Sequence, residues 1–440
     1  MKRRRIAVIG GGLEGRSLFS YLKKHNRDAE LLILDSDKNL RLPRGAQGIL
    51  GPGYLKHLSD FDFIYRSPGV PFNLPEIQKA KAKLSSLTRL FFESASRRSK
   101  GKIIGITGSA GKTTTATLIY RILKLAGKDA YLVGNIGNNP LAILDKLRRD
   151  SITVMELSSF QLQDLKISPQ VAVILDIYEE HQDKHGSFGE YIAAKKNICK
   201  FQKKSDFTIY CQDNKFSRKI AESSPAQKFP FSLKNSGATA FLKDGGIWHR
   251  QLGFIIPVGQ IRLRGAHNHK NVMAALLAAL ASGVNLSAIR KAVRNFRGIG
   301  HRLEFVREFH KVKFYNDSKA TNVGSALAGI NSFLEKKVVL SGGYNKNLDL
   351  SPLAKRLSRG DISFAVLFGA SRRKLAGLLK KERFSRFALA GRLEDAVGIA
   401  ARKAKAGEVV ILSPATASFD EFKNYEERGE KFKAAVFKIK

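Results

Sequence analysis

The stretch Ile103-Ile104-Gly105-Ile106-Thr107-Gly108-Ser109-Ala110-Gly111-Lys112-Thr113-Thr114 decides the fold class. A short apolar run enters a glycine turn, and the residues after it take up a helical rhythm. Leu118, Ile119, Ile122, Leu123 and Ala126 form one apolar stripe, with Gly127 placed to close the helix. Strand, glycine turn and helix in this order make a phosphate-binding loop. Gly108 and Gly111 let backbone N–H groups turn toward an anion, and the helix N-terminus adds a positive dipole. Lys112 is placed to neutralise the β- and γ-phosphates of ATP. Thr113, followed by Thr114, can offer a hydroxyl to Mg²⁺. The longer form of the motif has glycine where this chain has Ile106, so the loop is the shortened variant T-G-x-x-G-K-T.

The same rhythm runs outward in both directions. Strands are expected at Arg5–Ile9, Leu31–Leu34, Thr153–Met155, Val171–Leu175, Val338–Leu340, Phe364–Leu367 and Val409–Leu412. Apolar runs of this kind suit strands covered on both faces, and their alternation with helices predicts parallel α/β sheets. The stretch from Phe241 to Trp248 reads as a β-hairpin. Three blocks are expected, 1–93, 94–297 and 298–440, with a polar linker from Glu93 to Lys100 after the first.

Composition narrows the class. The chain has 440 residues, enough for two to four domains, and 43% hydrophobic residues, which supplies ordinary cores. No apolar run reaches the roughly 18 residues of a membrane helix, so no membrane insertion is expected. Cys199 and Cys211 make neither a disulfide framework nor a zinc site and fit a reducing cytoplasm. The net charge is +39. Such charge can attract nucleic acid or another anion. Here Lys and Arg are spread along the whole chain without a nucleic-acid-binding motif. The reading is a solvated basic surface, with no specific nucleic-acid partner.

Two further features bear on ligands. Gly10-Gly11-Gly12-Leu13-Glu14-Gly15 fits G-x-G-x-x-G between a strand and a helix, and Asp35 ends the next strand, where a ribose-binding acid belongs. This suggests a nucleotide-type ligand, either a nicotinamide cofactor or a UDP-linked substrate. Glu156 sits at a strand end, as a Mg²⁺ ligand or as a solvated carboxylate.

Longer strings settle more when read together: Thr107–Thr114, Glu156–Leu162, Gly265–Asn271, Gly300–Glu304, Asn316–Asn322 and Leu412–Asn424. In this order they resemble the Mur ligase family of peptidoglycan precursor synthesis, over essentially the whole chain. The last two strings point to the D-glutamate-adding branch. The resemblance implies a UDP-binding Rossmann-like domain, a central ATPase domain and a C-terminal Rossmann-like domain. It implies ATP-dependent joining of D-glutamate to UDP-N-acetylmuramoyl-L-alanine by a cytoplasmic monomer. A sibling ligase using another amino acid is the alternative, and a nicotinamide-dependent oxidoreductase is a more distant one.

The resemblance also implies roles. Lys112 would cradle the phosphates, with Thr113 and Glu156 at a first Mg²⁺. His181 would serve a second Mg²⁺ with Lys195, which matches the family's carbamylated lysine. Asn135, Leu13 and Asp35 match contacts to the UDP substrate. Asn268, Asn271 and His301 match the adenine region, and Arg302 and Asp317 match ATP phosphate and ribose contacts. Lys319, Thr321, Lys346, Ser413 and Phe422 match the D-glutamate side. Asp317 or Ser318 could also cap the helix that follows. The chain departs from its relatives at Ala110, where asparagine is common. It departs again at Glu14 and Asp37, which bring negative charge toward an expected diphosphate.

Overall fold

The computed structural model describes residues 3–98, 101–179, 185–345 and 348–439. Three sheets carry the chain, and they fall into two compact units. One comprises Met1–Gln260 with His269–Arg294, the other Ile261–Asn268 with Asn295–Lys440.

The first unit holds two sheets. The smaller has five strands in the order Gln47–Leu50, Glu30–Asp35, Arg5–Ile9, Phe63–Arg66, Leu84–Ser85, all parallel. Its glycine turn is tightly built. Gly10 has φ +91°, and a Cβ on Gly15 would collide with the Gly10 carbonyl oxygen. Only glycine lets helix Leu13–His25 start this close to the strand.

The larger sheet has nine strands, with Lys102–Thr107 between Val171–Ile174 and Ile152–Glu156. Helix Lys112–Leu125 lies against it through Leu118, Ile119, Ile122 and Leu123, all fully buried. Burial of each such side chain contributes about 1.5–3 kcal/mol. Gly127, at φ +73°, ends the helix as expected, its N–H donating to Lys124 O. The expected hairpin is present as Ala240–Lys243 paired antiparallel with Gly246–His249, turning at Asp244 and Gly245, both with positive φ. Strand Gly253–Pro257 forms the sheet's edge. There Arg290 donates to Phe254 O and Ile255 O at 2.9 and 2.8 Å.

One expectation is corrected here. Residues Glu93 to Arg98 are not a linker but the second half of helix Leu87–Arg98. Phe91, Phe92 and Ala95 are buried, and this apolar stripe holds the polar half in register. Arg66, 1% exposed, joins strand Phe63–Arg66 to the larger sheet's side of the unit. It donates to Val70 O, Phe160 O and the Asp164 carboxylate.

The second unit has six strands in the order Glu304–Phe309, Val312–Asn316, Val409–Leu412, Lys337–Gly342, Ile362–Phe368, Phe387–Leu389. All neighbours are parallel except the first pair. Asn316 and Leu340 both register with Leu412, so strands Val312–Asn316 and Val409–Leu412 end level, and Lys337–Gly342 runs two residues beyond them. Ligand-binding loops in open parallel sheets lie at such carboxyl ends. Helix Val323–Ile330 is capped by Asn322, whose side chain accepts from Ser325 N, and not by Asp317 or Ser318.

Candidate active site

In the first unit the phosphate loop begins where strand Lys102–Thr107 ends. Gly111 is the residue before helix Lys112–Leu125 and has φ +85°. A side chain there would strike the oxygen of Asn271, which is itself buried. The loop is pinned from two sides. Ser109 N donates to Asp176 O, and Ser109 Oγ lies 2.8 Å from the Tyr191 hydroxyl. Lys112 Nζ folds onto the loop, donating to Gly108 O at 2.7 Å and Ser109 O at 3.1 Å. Thr113 is half-buried at the helix start, and Thr114 is buried.

Glu156 ends strand Ile152–Glu156 beside Thr107's strand and is 2% exposed. Asn135 Nδ2 donates to its Oε1 at 3.2 Å. Its Oε2 is buried and has no hydrogen-bond partner among the described residues. A buried carboxylate oxygen without a donor is a costly arrangement that a cation relieves. Glu156 therefore fits a cation such as Mg²⁺, for which a threonine hydroxyl and phosphate oxygens would be suitable further ligands. Among the described residues, no three His, Cys, Asp or Glu gather as a metal cluster.

Lys195, on helix Phe188–Lys200, is 2% exposed. Its Nζ donates to Thr107 Oγ1 at 3.3 Å and Gly108 O at 3.1 Å, and stands 4.6 Å from the centre of the Tyr191 ring. Burial at the phosphate loop separates it from its half-buried neighbour Lys196. His181 lies outside the described residues, as does Lys346.

At the first sheet, Asp35 Oδ2 accepts from Gly11 N at 2.7 Å and so holds the glycine turn, while its Oδ1 accepts from Asp37 N at 2.9 Å and holds its own loop. Leu13 is 89% exposed. Glu14 turns inward instead, its Oε1 accepting from Gln161 Nε2 at 3.1 Å. Burial raises its pKa above the usual glutamate range, opposed by the Gln161 bond and by Arg66.

In the second unit, Asp317 is buried after strand Val312–Asn316. Ser413 Oγ donates to its Oδ2 at 3.3 Å and Leu303 N to its Oδ1 at 3.2 Å. Burial pushes its pKa up to about 7, against the pull of Arg302. Ser413 thus joins Asp317 across adjacent strand ends. His301 has φ +62°, and Asn316 Nδ2 donates to its Nδ1 at 3.0 Å. Burial lowers its pKa. The His301 carbonyl accepts from Lys319 N, and the Lys319 carbonyl from Thr321 N. Lys319 Nζ lies 5.4 Å from the centre of the Tyr425 ring. Asn268 Nδ2 donates to Arg264 O. Phe422 packs into the core among Phe314, Leu412 and Phe432.

Sequence reasoning passed over Tyr191, Lys270 and Arg428. Lys270 bonds both oxygens of Asp176 at 3.0 Å, while Asp176 O holds the phosphate loop. Its position inside the Gly265–Asn271 string was the available signal. Tyr191 and Arg428 sit in ordinary helical patterns, and nothing in their neighbours marks them.

A phosphate loop at the end of an interior strand of a largely parallel sheet, with a buried carboxylate one strand away, defines a nucleotide-dependent α/β enzyme. Family models refine the class: the Mur ligase MurD-like N-terminal domain matches residues 4–87, the Mur ligase middle domain 106–279, and the Mur ligase glutamate ligase domain 301–416. The chain belongs to the Mur ligase family and is a ligase. It is 34% identical over 451 residues to the UDP-N-acetylmuramoylalanine--D-glutamate ligase of Clostridium tetani, covering 98% of this chain and 96% of the relative. It is 37% identical to the Acetivibrio thermocellus ligase of the same name, covering 100% and 97%. Among solved structures, the MurF ligase of Thermotoga maritima in complex with ADP matches with a TM-score of 0.62 at 19% identity, covering 100% of both chains. The UDP-N-acetylmuramate-alanine ligase MurC of the same organism matches at 0.59 and 16%, covering 97% and 98%. These two likenesses bear on the fold.

Proposed function

We propose that this chain is the ATP-dependent ligase that joins D-glutamate to UDP-N-acetylmuramoyl-L-alanine in peptidoglycan precursor synthesis. The observation that carries this reading is the near-complete coverage, at 34% and 37% identity, of relatives bearing that activity in their names.

A carboxylate does not condense with an amine in water unaided. In the proposed reaction the L-alanyl carboxylate attacks the γ-phosphate of ATP, giving an acyl phosphate and ADP. The amine of D-glutamate then attacks the acyl carbon, and phosphate leaves. Positioning and charge neutralisation are the protein's tasks. Lys112 and the turned amides of Gly108 and Gly111 suit the phosphates. Glu156 and Thr113 would hold Mg²⁺, which when bound supplies charge neutralisation at the phosphate oxygens. Lys195, carbamylated, and His181 are assigned to a second Mg²⁺.

Residues 1–93 are assigned to the UDP substrate through Leu13 and Asp35, and 94–297 to ATP, with Asn135 as a further substrate contact. Residues 298–440 are assigned to the amino acid through Lys319, Thr321, Lys346 and Ser413. Asp317, His301, Arg302, Asn268 and Asn271 are assigned to ATP. Phe422 is assigned a supporting place behind the acceptor loop, because its ring lies in the core. No described helix is long and apolar enough to cross a membrane. Two buried free cysteines suit a cytoplasmic setting.

The test is phosphate release from ATP with UDP-N-acetylmuramoyl-L-alanine, comparing D-glutamate with L-glutamate, glycine and no amino acid. Release should require both D-glutamate and the UDP substrate, and the product should be heavier by one glutamyl unit. Dependence on another amino acid would replace the acceptor and keep the family.

A further inference from the structure

Arg428 stands in the first turn of helix Tyr425–Phe437 and is fully buried. Its guanidinium spends every N–H group on backbone or hydroxyl oxygens. Nε donates to Ser318 Oγ at 3.0 Å, and Nη2 to Ser318 O at 2.9 Å and Thr416 O at 3.1 Å. Nη1 donates to Thr416 O and Ala417 O, both at 3.1 Å. One side chain thereby ties Asn316–Asn322 to Leu412–Asn424. A third loop closes on the same point. Tyr344 and Ala417 exchange backbone hydrogen bonds, and a Cβ on Gly343 would stand 3.0 Å from Arg428 Nη1.

This arrangement is expensive for the fold. A buried cation normally has a carboxylate partner. Here Asp420 and Glu421 act on Arg428 only at a distance, and burial lowers its pKa to about 10, which still leaves it charged at neutral pH. The N-terminal turn of a helix also disfavours a cation. A neutral side chain could fill the volume without these costs. Beside it, the Thr416 hydroxyl is fully buried and has no hydrogen-bond partner among the described residues. Two of the three loops that Arg428 gathers carry Lys319, Thr321 and Ser413, three of the residues assigned to the amino acid.

We infer that Arg428 is a positioning residue of the acceptor site, and that its buried charge favours a dicarboxylate amino acid over its monocarboxylate amide. The inference rests on the proposed D-glutamate acceptor. The guanidinium acts in two ways. Its fork fixes the loops, and its charge, poorly screened by the surrounding protein, lowers the potential energy of a second carboxylate.

The experiment compares D-glutamate with D-glutamine as acceptors for the wild-type enzyme, Arg428→Met and Arg428→Lys, with ATP and the UDP substrate saturating. For Arg428→Met, KM for D-glutamate should rise roughly tenfold, and the preference for D-glutamate over D-glutamine should fall by a similar factor. KM for ATP should stay within about twofold. Arg428→Lys should lose turnover, because the fork is gone, yet keep the preference, because the charge remains. Equal losses for both acceptors in Arg428→Met would overturn the inference, leaving only a scaffold. If Arg428→Met does not fold, loss of the preference in folded Arg428→Lys would overturn it too. Absence of D-glutamate-dependent turnover in the wild type would instead overturn the acceptor reading itself.

Discussion

Lys112 and Lys195 donate to the same carbonyl oxygen, that of Gly108, at 2.7 and 3.1 Å. Two ammonium groups on one acceptor repel, and the burial of Lys195 removes much of the water that would screen them. An incoming polyphosphate relieves this at Lys112. The proposed carbamylation would relieve it at Lys195 by reversing that side chain's charge. If Lys195 is carbamylated, protein kept in ¹³C-bicarbonate should show a lysine carbamate carbon resonance, absent from Lys195→Arg. Turnover of Lys195→Arg should fall by on the order of a hundredfold or more. A wild-type spectrum without that resonance, with full turnover, would remove the carbamate.

Lys112→Ala should reduce phosphate release by roughly a hundred- to a thousandfold. Its fold should persist, since the bonds to Gly108 O and Ser109 O lie within its own loop. Circular dichroism and turnover measured on the same sample separate the two effects. Retained activity would sink the phosphate-loop assignment.

Glu156→Gln keeps an acceptor for Asn135 but removes the charge facing the buried, undonated oxygen position. The Mg²⁺ concentration for half-maximal turnover should rise at least about tenfold. An unchanged Mg²⁺ dependence would place the ion elsewhere.

Asp317 carries a pH signature. Its pKa is 3.8 ordinarily and about 7 in the fold. The folded state therefore binds this proton more tightly than the unfolded chain. Stability from this group is full below the ordinary value, falls as pH rises through the interval, and levels off above about 7, a loss on the order of a few kcal/mol. Asp317→Asn should flatten that decline, so urea midpoints at pH 4.5 and pH 7.5 should differ less in the variant. Parallel profiles would mean that Asp317 is not protonated in the fold.

Arg66→Ala should destabilise the first unit by about 3–5 kcal/mol, because it strands the Asp164 carboxylate and two carbonyls in a dry interior. Chemical denaturation followed in the far ultraviolet measures this. A loss below about 1 kcal/mol would show that water reaches the pair.

The strands and the phosphate loop were legible because backbone demands leave a local trace. β-branched runs, Gly111 at positive φ and Gly127 as a helix stop are dictated within a few residues. The Glu93–Arg98 helix escapes the sequence because its polar surface outweighs Ala95, which alone in that half carries on the buried stripe of Leu87, Phe91 and Phe92. The cap at Asn322 was misplaced because Asp317 and Ser318 are equally good capping residues by type. Asp317 is instead committed to Ser413, almost a hundred positions along the chain. Such partners have no sequence signal when one chain is read alone. The family's long strings supplied them only where whole motifs survive, so Arg428, outside those strings, stayed invisible.

The guanidinium of Arg290 on the outer strand Gly253–Pro257 has a consequence for the protein in a crowded solution. An exposed β-edge is a template on which another copy's edge can add, and growth then continues without limit. Two of the carbonyls such a recruit would need, those of Phe254 and Ile255, already have Arg290 as their donor. The strand also ends at Pro257, which has no N–H to offer. Growth of the nine-stranded sheet is thus opposed at this edge, and the hairpin extension adds surface to the fold without leaving its outer strand an open template.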